Sequence, residues 1–572
     1  MRILFSVGSF GFLRNFESTI RVLVEHGHEL HVVAERGDTI DGQKMAEILA
    51  AQYPSITFER LPSSRHRLWY ALGAALRASL DYWRYLDPNW EHSPKLRQRA
   101  AELAPQLALA LARVPLVRTR TGLALLHRFF HTLERTLPPP PEVTEVFERV
   151  NPDVLLLTPL LYFASHQVNH VRCARRLGIG TILGVGSWDH LTTKGLIHEV
   201  PDRVLVWNEA QRREAIDLHA VPPERVIVTG SQAYDHWFST NPSLDRSAFC
   251  RQVGLDPDRP LLLYLCSSPF ITPYEAGFVR SWIAAIRRSP DERLRGTSLL
   301  VRPHPQNARQ WADIDLASEF EHVALWPKTG VNPIGGVARA DYFDSMYHAE
   351  AVVGVNTSGM IESGIIGRPV YTVLAEEFGS TQEGTLHFRH LKNVEGGLLH
   401  LAESLDEHAA QLARLLAHGG EERNSARQFI QAFVRPHGLD IPATPRVVAE
   451  IERLGKGGRL EPQRSLMGAS VLRVMLAPAA VVAMAATTDR AKMRAIVLRW
   501  IRPARLILRA FVSRSIYATR SLRRLPRRGL GLLLTAIRRL LILPARWILQ
   551  RTKLGLHALL VWRKGSEADH AP

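Results

Sequence analysis

Residues 352–370, with the sequence VVGVNTSGMIESGIIGRPV, constrain the fold of this chain more than any other segment. They begin with a short apolar run that predicts a buried parallel strand, and a polar turn at 356–359 follows at once. Apolar residues then recur at helical spacing, namely Met360, Ile361, Ile365 and Ile366. Arg368 and Pro369 end the predicted helix, and Val370 begins the next strand. Strand, turn, helix and strand in this order predict a parallel α/β unit.

The turn in this segment is chemically suited to an anion. Thr357, Ser358 and Gly359 are small residues at a helix N-terminus, where unpaired backbone N–H groups and a partial positive charge favour phosphate. Glu362 lies one turn inside the helix, where a carboxylate can accept hydrogen bonds from a ribose diol. The alternative for the same residues is structural, with Ser358 as a helix cap and Glu362 favouring the helix dipole.

Further polar side chains follow two other predicted strands. The strand at 298–301 leads into Arg302-Pro303-His304-Pro305-Gln306, whose prolines would fix a guanidinium and an imidazole at a strand's carboxyl end. Ligands of open α/β sheets bind at that end, and a guanidinium suits phosphate. Ser267 and Ser268 follow the strand at 261–266 and should face the same crevice, unless they form a simple turn. Two anion-binding strand ends in one unit predict a diphosphate ligand.

Length and composition set limits on the class of protein. The chain has 572 residues, enough for more than one domain with a full core. Its three cysteines are odd in number and far apart in sequence, which implies neither a disulfide framework nor a zinc site and fits a reducing cytoplasm. The opening MRILFSVGSFGF predicts a first strand rather than a signal peptide. No uninterrupted apolar stretch is long enough to predict a membrane-spanning helix.

The α/β pattern occurs twice, so we expect two tandem Rossmann-like domains. The N-terminal domain should span residues 1–245, with strands at 2–7, 28–34, 154–158, 181–185, 203–207 and 226–229 and a helical insertion at about 63–141. The C-terminal domain should span 255–453, with strands at 261–266, 298–301, 351–355 and 370–374. Residues 459–572 form a separate tail.

Several segments resemble a known group of enzymes. VLVWNEAQRREAI (204–216) and VIVTGSQAYDHW (226–237) resemble the interdomain region of nucleotide-sugar enzymes with the GT-B fold. RPHPQ and VNTSGMIESGIIGRPV resemble the donor-binding motifs of the CDP-glycerol glycerophosphotransferase and capsule-polysaccharide transferase group, and more distantly of UDP-N-acetylglucosamine 2-epimerases. The turn NTSGMIES differs from the TDYSS-type and DSGG-type turns of those two groups.

The resemblance implies a role for each matching residue. It places Ser358 and Gly359 against the diphosphate of a nucleotide-sugar donor, Glu362 on the ribose and His304 near the phosphates. It also implies a GT-B glycosyltransferase that needs neither a metal ion nor a cofactor. Arg302 is added on its chemistry alone, because a guanidinium suits phosphate.

The base that takes the proton of the acceptor hydroxyl should lie at a strand end of the first domain. Asp189 and His190 are adjacent titratable residues in the turn after the strand at 181–185. Trp188 could stack on a sugar and Lys194 could meet a phosphate, although a capped loop with a buried Trp is the structural alternative. Glu17, with Arg14 and Asn15 beside it, is the second candidate base.

The loop at 378–387 lies beyond the strand at 370–374. Gln382 and His387 in this loop could contact the donor's sugar or close over it. A plain surface loop is the alternative interpretation.

The basic charge of the protein belongs to its tail. Residues 459–564 carry 23 Lys and Arg and two acids, about +21, whereas the whole chain is +17 and the remainder therefore about −4. Arg499, Arg502, Arg505 and Arg509 share one face of a predicted amphipathic helix, with Ile, Leu, Val and Trp500 on the other. This pattern is typical of helices that lie in a membrane interface. Nucleic acid is the rival partner, but the wide apolar face favours an anionic membrane surface.

The expected function is transfer of a sugar or sugar-like group from a nucleotide-activated donor to a surface-glycan or lipid-linked acceptor. The enzyme would be cytoplasmic and peripheral on the inner face of the cytoplasmic membrane. The alternatives are a nucleotide-sugar 2-epimerase-like enzyme, a CDP-glycerol-type glycerophosphotransferase and a non-catalytic membrane scaffold.

Overall fold

The structure, a computed structural model, describes residues 1–37, 41–62, 67–91, 93–418, 423–463 and 468–487. Residues 1–487 form one compact unit that contains two parallel β-sheets. The predicted fold class, two tandem Rossmann-like domains of the GT-B type, is confirmed by these sheets and the helices around them. The predicted basic helices of the tail, at 488–572, lie outside the described residues.

The first sheet has seven parallel strands in the order β3-β2-β1-β4-β5-β6-β7. Their bounds are β1 Arg2–Val7, β2 Glu29–Ala34, β3 Ile56–Arg60, β4 Val154–Thr158, β5 Gly180–Gly184, β6 Arg203–Val206 and β7 Val226–Val228. The sequence pattern predicted six of these strands and missed β3. The strand order reverses between β1 and β4, which opens a crevice at their carboxyl ends.

Ten α-helices are interspersed with the described strands of the first sheet. They are α1 Glu17–Glu25, α2 Gly42–Gln52, α3 Leu68–Arg84, α4 Pro94–Leu103, α5 Gln106–Leu111, α6 Arg120–Arg135, α7 Pro141–Val150, α8 Val168–Arg176, α9 His190–Thr193 and α10 Glu209–His219. Short 3₁₀ helices lie at Phe10–Asn15, Pro88–Trp90, Pro223–Arg225 and Gln232–Phe238. Helices α3 to α7 lie between β3 and β4, where the sequence predicted a helical insertion.

The second sheet has six parallel strands in the order β10-β9-β8-β11-β12-β13. Their bounds are β8 Leu261–Leu265, β9 Ser298–Arg302, β10 Val323–Leu325, β11 Ala351–Gly354, β12 Val370–Val373 and β13 Leu399–Ala402. The predicted strands match β8, β9, β11 and β12. Its crevice opens between β8 and β11, where the strand order reverses.

The remaining described helices follow the same alternation. They are α11 Arg246–Val253, α12 Ala276–Arg287, α13 Glu292–Arg295, α14 Leu316–Glu319, α15 Gly336–Tyr347, α16 Gly359–Ile365, α17 Leu386–Asn393, α18 Leu405–His418, α19 Arg423–Phe433, α20 Thr444–Lys456 and α21 Ala469–Thr487. Further 3₁₀ helices lie at Pro305–Trp311, Glu376–Phe378 and Val394–Gly396. The predicted strand–turn–helix at 352–366 is present as β11 and α16.

Apolar clusters cover both faces of each sheet. The central strand β4 is buried along its whole length, and alternate β4 residues belong to different clusters, with Leu155 and Leu157 on one face and Val154 and Leu156 on the other. Strands buried on both faces read as continuous apolar runs, which is why their positions were predictable. The same holds for β8 and β9 in the second sheet.

Helix α20 follows the second sheet in the chain but packs on the first. Val447, Val448 and Ile451 belong to the apolar cluster that covers β1 and β2. Asp235 accepts hydrogen bonds from the backbone N–H of Ala443 and Thr444 at the start of this helix. The chain therefore returns to its N-terminal half, while the domain boundaries at 245, 255 and 453 stay predictions.

None of the helices in the described part of the chain is long and apolar enough to cross a membrane.

Candidate active site

A cavity of about 940 Å³ lies where the carboxyl ends of the two sheets face each other. Its wall contains Ser9 beyond β1 and Gly186 beyond β5, and, from the second sheet, Cys266, Pro303 and Thr357 beyond β8, β9 and β11. Ser9 and Tyr162 follow the two strands at the reversal of the first sheet, and Cys266 and Thr357 follow those at the reversal of the second, where ligands of open α/β sheets bind. The cavity has the size of an ordinary small-molecule site.

Glu362, the predicted ribose ligand, lines this cavity. Its Oε2 accepts a hydrogen bond of 2.8 Å from the Tyr342 hydroxyl. Burial raises the pKa of Glu362 to about 7, although the Tyr342 hydrogen bond and the charge of Arg14 act in the opposite direction. A carboxyl group with a pKa near neutrality is therefore poised between its two protonation states in the cavity wall.

The turn before α16 brings backbone close to the cavity. Thr357, Ser358 and Gly359 all line it. A Cβ at Gly359 would lie 2.6 Å from Leu265 Cδ1 and 2.8 Å from the Tyr342 hydroxyl, so a side chain there would require those neighbours to move. The Ser358 Oγ accepts a hydrogen bond of 3.1 Å from the Trp188 indole of the first domain. The predicted phosphate-binding turn is therefore also a point of contact between the domains.

Arg302 and His304 line the cavity from β9 and the turn after it. The Arg302 guanidinium is anchored by Asp341 Oδ2 at 2.7 Å and by Ser345 Oγ at 3.1 Å. Burial, with Arg14 nearby, lowers the pKa of His304 to about 4, so its imidazole is neutral near pH 7. Its Nδ1 is 3.2 Å from the backbone N–H of Gln306 and accepts from it, which leaves the hydrogen on Nε2 as a donor. A neutral N–H donor can bind a phosphate oxygen.

Arg14 supplies a cation from the first domain. It is an exposed residue of the 3₁₀ helix Phe10–Asn15 and lines the cavity. Its charge acts on the pKa of His190 from its own domain and on those of His304 and Glu362 from the other. The guanidinium therefore lies between the two halves of the site. A diphosphate there would meet a cation suited to bidentate binding.

Asp189 and His190 line the cavity at the start of α9, next to Lys194. Burial acts to raise the pKa of Asp189, but the Lys194 charge, the histidines nearby and a 2.5 Å hydrogen bond from Ser187 Oγ outweigh it. The pKa of Asp189 is therefore held well below its ordinary value. Thr193 Oγ1 also donates to Oδ2, at 2.8 Å. Both oxygens of this carboxylate already accept hydrogen bonds, and its pKa lies below that of His190, so Asp189 is the weaker base of the two.

His190 differs from Asp189 in its charge and in its hydrogen bonding. Burial lowers the pKa of His190 to about 4 despite the neighbouring Asp189 carboxylate, so its ring is neutral near pH 7. Its Nδ1 is buried without a hydrogen-bond partner among the described residues. The ring packs edge-on against Phe12, with the ring centroids 5.7 Å apart. A neutral imidazole that lines the cavity is a candidate to take a proton.

The helical insertion holds this loop in place. Arg84 at the end of α3 donates to the carbonyls of Leu191 at 2.7 Å and Gly195 at 2.9 Å. The Tyr85 hydroxyl donates to the Lys194 carbonyl at 2.8 Å. The backbone carbonyls that follow His190 are thus satisfied by buried side chains, which gives the loop a single position.

Six predicted site residues lie outside the cavity lining, namely Glu17, Trp188, Ser267, Ser268, Gln382 and His387. Glu17 accepts two hydrogen bonds from Arg339 of the second domain, the shorter at 2.5 Å. Trp188 is buried against the His387 ring, with centroids 4.8 Å apart, and Gln382 donates to the Val355 and Val373 carbonyls. These residues join the domains or support the cavity floor, and ligand contacts for them stay predictions.

Among the described residues, one group could hold a metal ion, namely His26, His28 and Glu452. Glu452 Oε1 is 2.7 Å from His26 Nδ1 and 2.9 Å from His28 Nε2, and all three lie outside the cavity lining. The group joins the start of β2 to α20 by hydrogen bonds.

Three tyrosines that line the cavity, Tyr162, Tyr234 and Tyr342, were not predicted. Tyr342 lies on α15, a helix whose weak apolar pattern gave no signal, and Tyr234 lies in VIVTGSQAYDHW, which was noted only as part of the resemblance. Burial raises the pKa of Tyr234 well above its ordinary value, with the Glu362 carboxylate acting in the same direction. The phenols of Tyr234 and Tyr342 are therefore both protonated, and the Tyr342 hydroxyl donates to Glu362.

No family model matches this chain, and no curated protein matches it in sequence. Among solved structures, UDP-GlcNAc 2-epimerase from Methanocaldococcus jannaschii is similar at 12% identity and a TM-score of 0.45, covering 79% of this chain and 100% of that one. A glycosyltransferase from Rickettsia africae ESF-5 is similar at 10% identity and 0.45, covering 80% and 99%. WaaG, a glycosyltransferase involved in lipopolysaccharide biosynthesis, is similar at 12% identity and 0.41, covering 78% and 99%.

Glycosyltransferases and UDP-GlcNAc 2-epimerases, both of which the sequence resembles, are thus present among these structures. At these identities and scores the likeness concerns the fold alone and carries nothing about function.

Proposed function

We propose that this protein is a GT-B glycosyltransferase that moves a sugar or sugar-like group from a nucleotide-activated donor. The observation that carries the proposal is the cavity between the two sheets, which brings Arg14 and His190 of the first domain to the same space as His304 and Glu362 of the second. The Arg14 cation and the His304 N–H donor suit the diphosphate of a donor, and the near-neutral carboxyl group of Glu362 suits its ribose. A neutral imidazole on the opposite side suits an acceptor hydroxyl.

The donor would bind chiefly to the second domain. Glu362 would accept hydrogen bonds from the ribose, and the backbone at Ser358 and Gly359 would approach the diphosphate. Arg14 and Lys194 would offset the phosphate charge from the first domain, so positive side chains stand where other transferases use a metal ion. This charge arrangement supports a metal-independent reaction.

The acceptor would bind on the first domain, with its hydroxyl near His190. As the sugar's C1–O bond to the diphosphate breaks and the new C1–O bond forms, His190 would take the hydroxyl proton. The diphosphate leaves with its bonding electron pair, stabilised by Arg14 and the His304 N–H. We place the acceptor among surface-glycan or lipid-linked intermediates at the cytoplasmic face of the membrane, because the tail is basic and amphipathic.

The function can be tested by a thermal-shift screen of the full-length protein against nucleotide sugars of different bases. The correct donor should raise the melting temperature with its concentration, since a ligand that binds only the folded state stabilises it by mass action. Glu362→Gln should reduce that shift, and Ile48→Gln, at an exposed position on α2, is the matched control. If no nucleotide sugar stabilises the protein, the result would contradict the proposed function and favour a non-catalytic scaffold.

Products then separate transfer from epimerisation. A transferase should release the nucleoside diphosphate in step with a new glycosidic bond on an added acceptor, as mass spectrometry would detect. Inversion at the sugar's C2 without an acceptor, followed by nuclear magnetic resonance, would favour the epimerase-like alternative. Transfer of glycerol phosphate with release of a nucleoside monophosphate would favour the glycerophosphotransferase.

The tail should hold the protein on anionic membranes. Ending the chain at residue 487 removes 20 Lys and Arg and three acids, and it leaves the compact unit that contains both sheets. Each basic residue near an anionic surface adds on the order of 1 kcal/mol, so vesicle binding at low salt should weaken about tenfold or more. Co-sedimentation with phosphatidylglycerol vesicles measures this, and equal pelleting of the two proteins, or a tail preference for DNA or RNA, would contradict it.

A further inference from the structure

Exposed apolar side chains are concentrated in two segments of the described chain. Of nineteen exposed large apolar residues, eleven lie at 103–129 or in α21. The first segment, here called the apolar hairpin, comprises residues 103–129, from the end of α4 through α5 into α6. Its exposed members are Leu103, Leu107, Val114, Leu116, Leu125 and Phe129. So dense a cluster of exposed apolar side chains marks an interaction surface.

The hairpin is fixed in the fold by its other face. Ala108 and Ala112 of this segment pack with Leu80 and Trp83 of α3, and the Trp83 indole donates to the Ala108 carbonyl at 3.1 Å. Helices that are apolar on both the buried and the outward side do not suit water. The outward face of this segment is therefore a candidate surface for binding a partner.

The charge of the hairpin favours an anionic partner. Residues 103–133 contain four basic residues, Arg113, Arg118, Arg120 and Arg128, and no Asp or Glu. All four arginines are exposed, and three of them flank Leu116 at the tip between α5 and α6. Apolar side chains surrounded by arginines match the boundary between acyl chains and anionic headgroups.

Helix α21 extends this surface. It shares a buried cluster with α3 and α6 through Leu476 and Ala480, and Arg473 donates to the Thr136 carbonyl just beyond α6 at 2.7 Å. Its exposed large apolar side chains are Val471, Val474, Met475, Val481 and Val482. Residues 488–572, which follow α21 in the sequence, carry 20 Lys and Arg against three acids.

We propose that the outward face of the apolar hairpin and α21 is a second membrane-binding surface, which inserts its Leu, Val and Phe side chains into an anionic lipid bilayer. It deepens the membrane part of the proposed function, but it depends neither on the tail nor on sugar transfer. Helix α3, which both elements contact, also holds the loop at 190–195 through Arg84. Lipid contact would thus set the orientation of the cavity toward an acceptor in the bilayer.

The test uses full-length protein at high salt, where the Debye length falls to about 3 Å at 1 M and tail electrostatics are screened. Leu116→Glu with Leu125→Glu alters side chains that are 78% and 64% exposed, so the fold should survive. We expect pelleting with phosphatidylglycerol vesicles to fall below that of wild type, while the apolar face predicted for the tail retains part of the binding. The matched control, Ile48→Glu at a 49% exposed position on α2, should pellet like wild type.

A second measurement does not depend on charge substitutions. The three native cysteines are buried, so Leu116→Cys can be labelled with an environment-sensitive fluorophore and compared with Ile48→Cys. Vesicles should shift the emission to the blue for the label at 116 only. Unchanged emission with unchanged pelleting of the double variant would overturn the proposal. A blue shift that follows protein concentration without vesicles would overturn it in favour of contact between copies of this chain.

Discussion

Replacing His190 with alanine should lower turnover about 100-fold or more while donor affinity stays near that of wild type. His190 is a neutral side chain of the first domain that lines the cavity, and its buried Nδ1 has no hydrogen-bond partner among the residues that the structure describes. Loss of a general base slows the chemical step by typically 10²–10⁴-fold. Single-turnover kinetics with saturating donor would measure the effect separately from binding.

His408→Ala is a matched control for the loss of stability that follows when a buried histidine is replaced by alanine. His408 is also buried, burial lowers its pKa to about 4, and it lies in the second domain outside the cavity lining. His408→Ala should keep near-wild-type turnover in the molecules that remain folded. If His190→Ala and His408→Ala behave alike, the base lies elsewhere and Glu17 becomes the candidate to test.

Asp189→Asn should also reduce turnover, but by a different route. Asp189 stabilises the loop through Ser187, Thr193 and the Lys194 charge, so its loss would leave a buried cation without its partner.

The pH dependence of turnover tests His190 as the base. Because an imidazole with a pKa of about 4 is neutral above that pH, wild-type turnover should be flat from pH 5 to 8 and fall below about pH 4. With donor saturating at every pH, so that the affinity change at Glu362 does not contribute, a turnover limb near pH 7 would contradict the assignment of His190.

Replacing both Glu362 and Ser358 with alanine should weaken binding of the donor about 100-fold or more with both domains folded. Glu362→Ala removes the ribose acceptor and Ser358→Ala one phosphate contact, and lost hydrogen bonds to charged groups cost about 1.5–3 kcal/mol each. Each single variant should lose at least about tenfold. Calorimetric titration with the donor found in the thermal-shift screen would measure it, and unchanged affinity in both single variants would refute the donor site.

The Ser358 variant needs its own control, because Ser358 also accepts from the Trp188 indole. Trp188→Phe removes that hydrogen bond and keeps an aromatic ring between the domains. If Trp188→Phe weakens donor binding as much as Ser358→Ala does, the serine acts through the contact between domains rather than on the phosphate.

Donor affinity should depend on pH through Glu362. The pKa of this carboxyl is about 7 in the ligand-free protein, and ribose hydroxyls that donate to it favour the ionised form and lower its pKa. Affinity should therefore rise with pH up to about 7 and level off above. A nucleotide sugar is the right probe, because its diphosphate lacks the terminal ionisation near pH 6 of a phosphate monoester. Glu362→Gln should remove the slope, and a slope that persists would assign it to another group.

The local sequence determined the strands buried on both faces and the turns that follow them. β4 and β8 are apolar along their whole length, so a continuous apolar run marked them without knowledge of their neighbours. The missed strands β3, β10 and β13 are edge strands: β3 and β13 are partly exposed, and β10 has only three residues, so none gives such a run. A strand at an edge is defined by the strand it pairs with, which lies elsewhere in the chain.

In the site, too, some features follow from the local sequence and others only from the tertiary structure. Ligand-binding ends of parallel strands follow from topology, so Ser358, Glu362, His304 and His190 could be proposed from the turns in which they lie. Their environment could not, because the Tyr342 hydroxyl on Glu362 and the Arg14 charge between the domains join residues far apart in the chain. Protonation depends on burial and on neighbours in space, and these arise only when the two sheets face each other across the cavity. The sequence thus determined which groups are present, whereas the tertiary structure decided their charge states and which of them share one site.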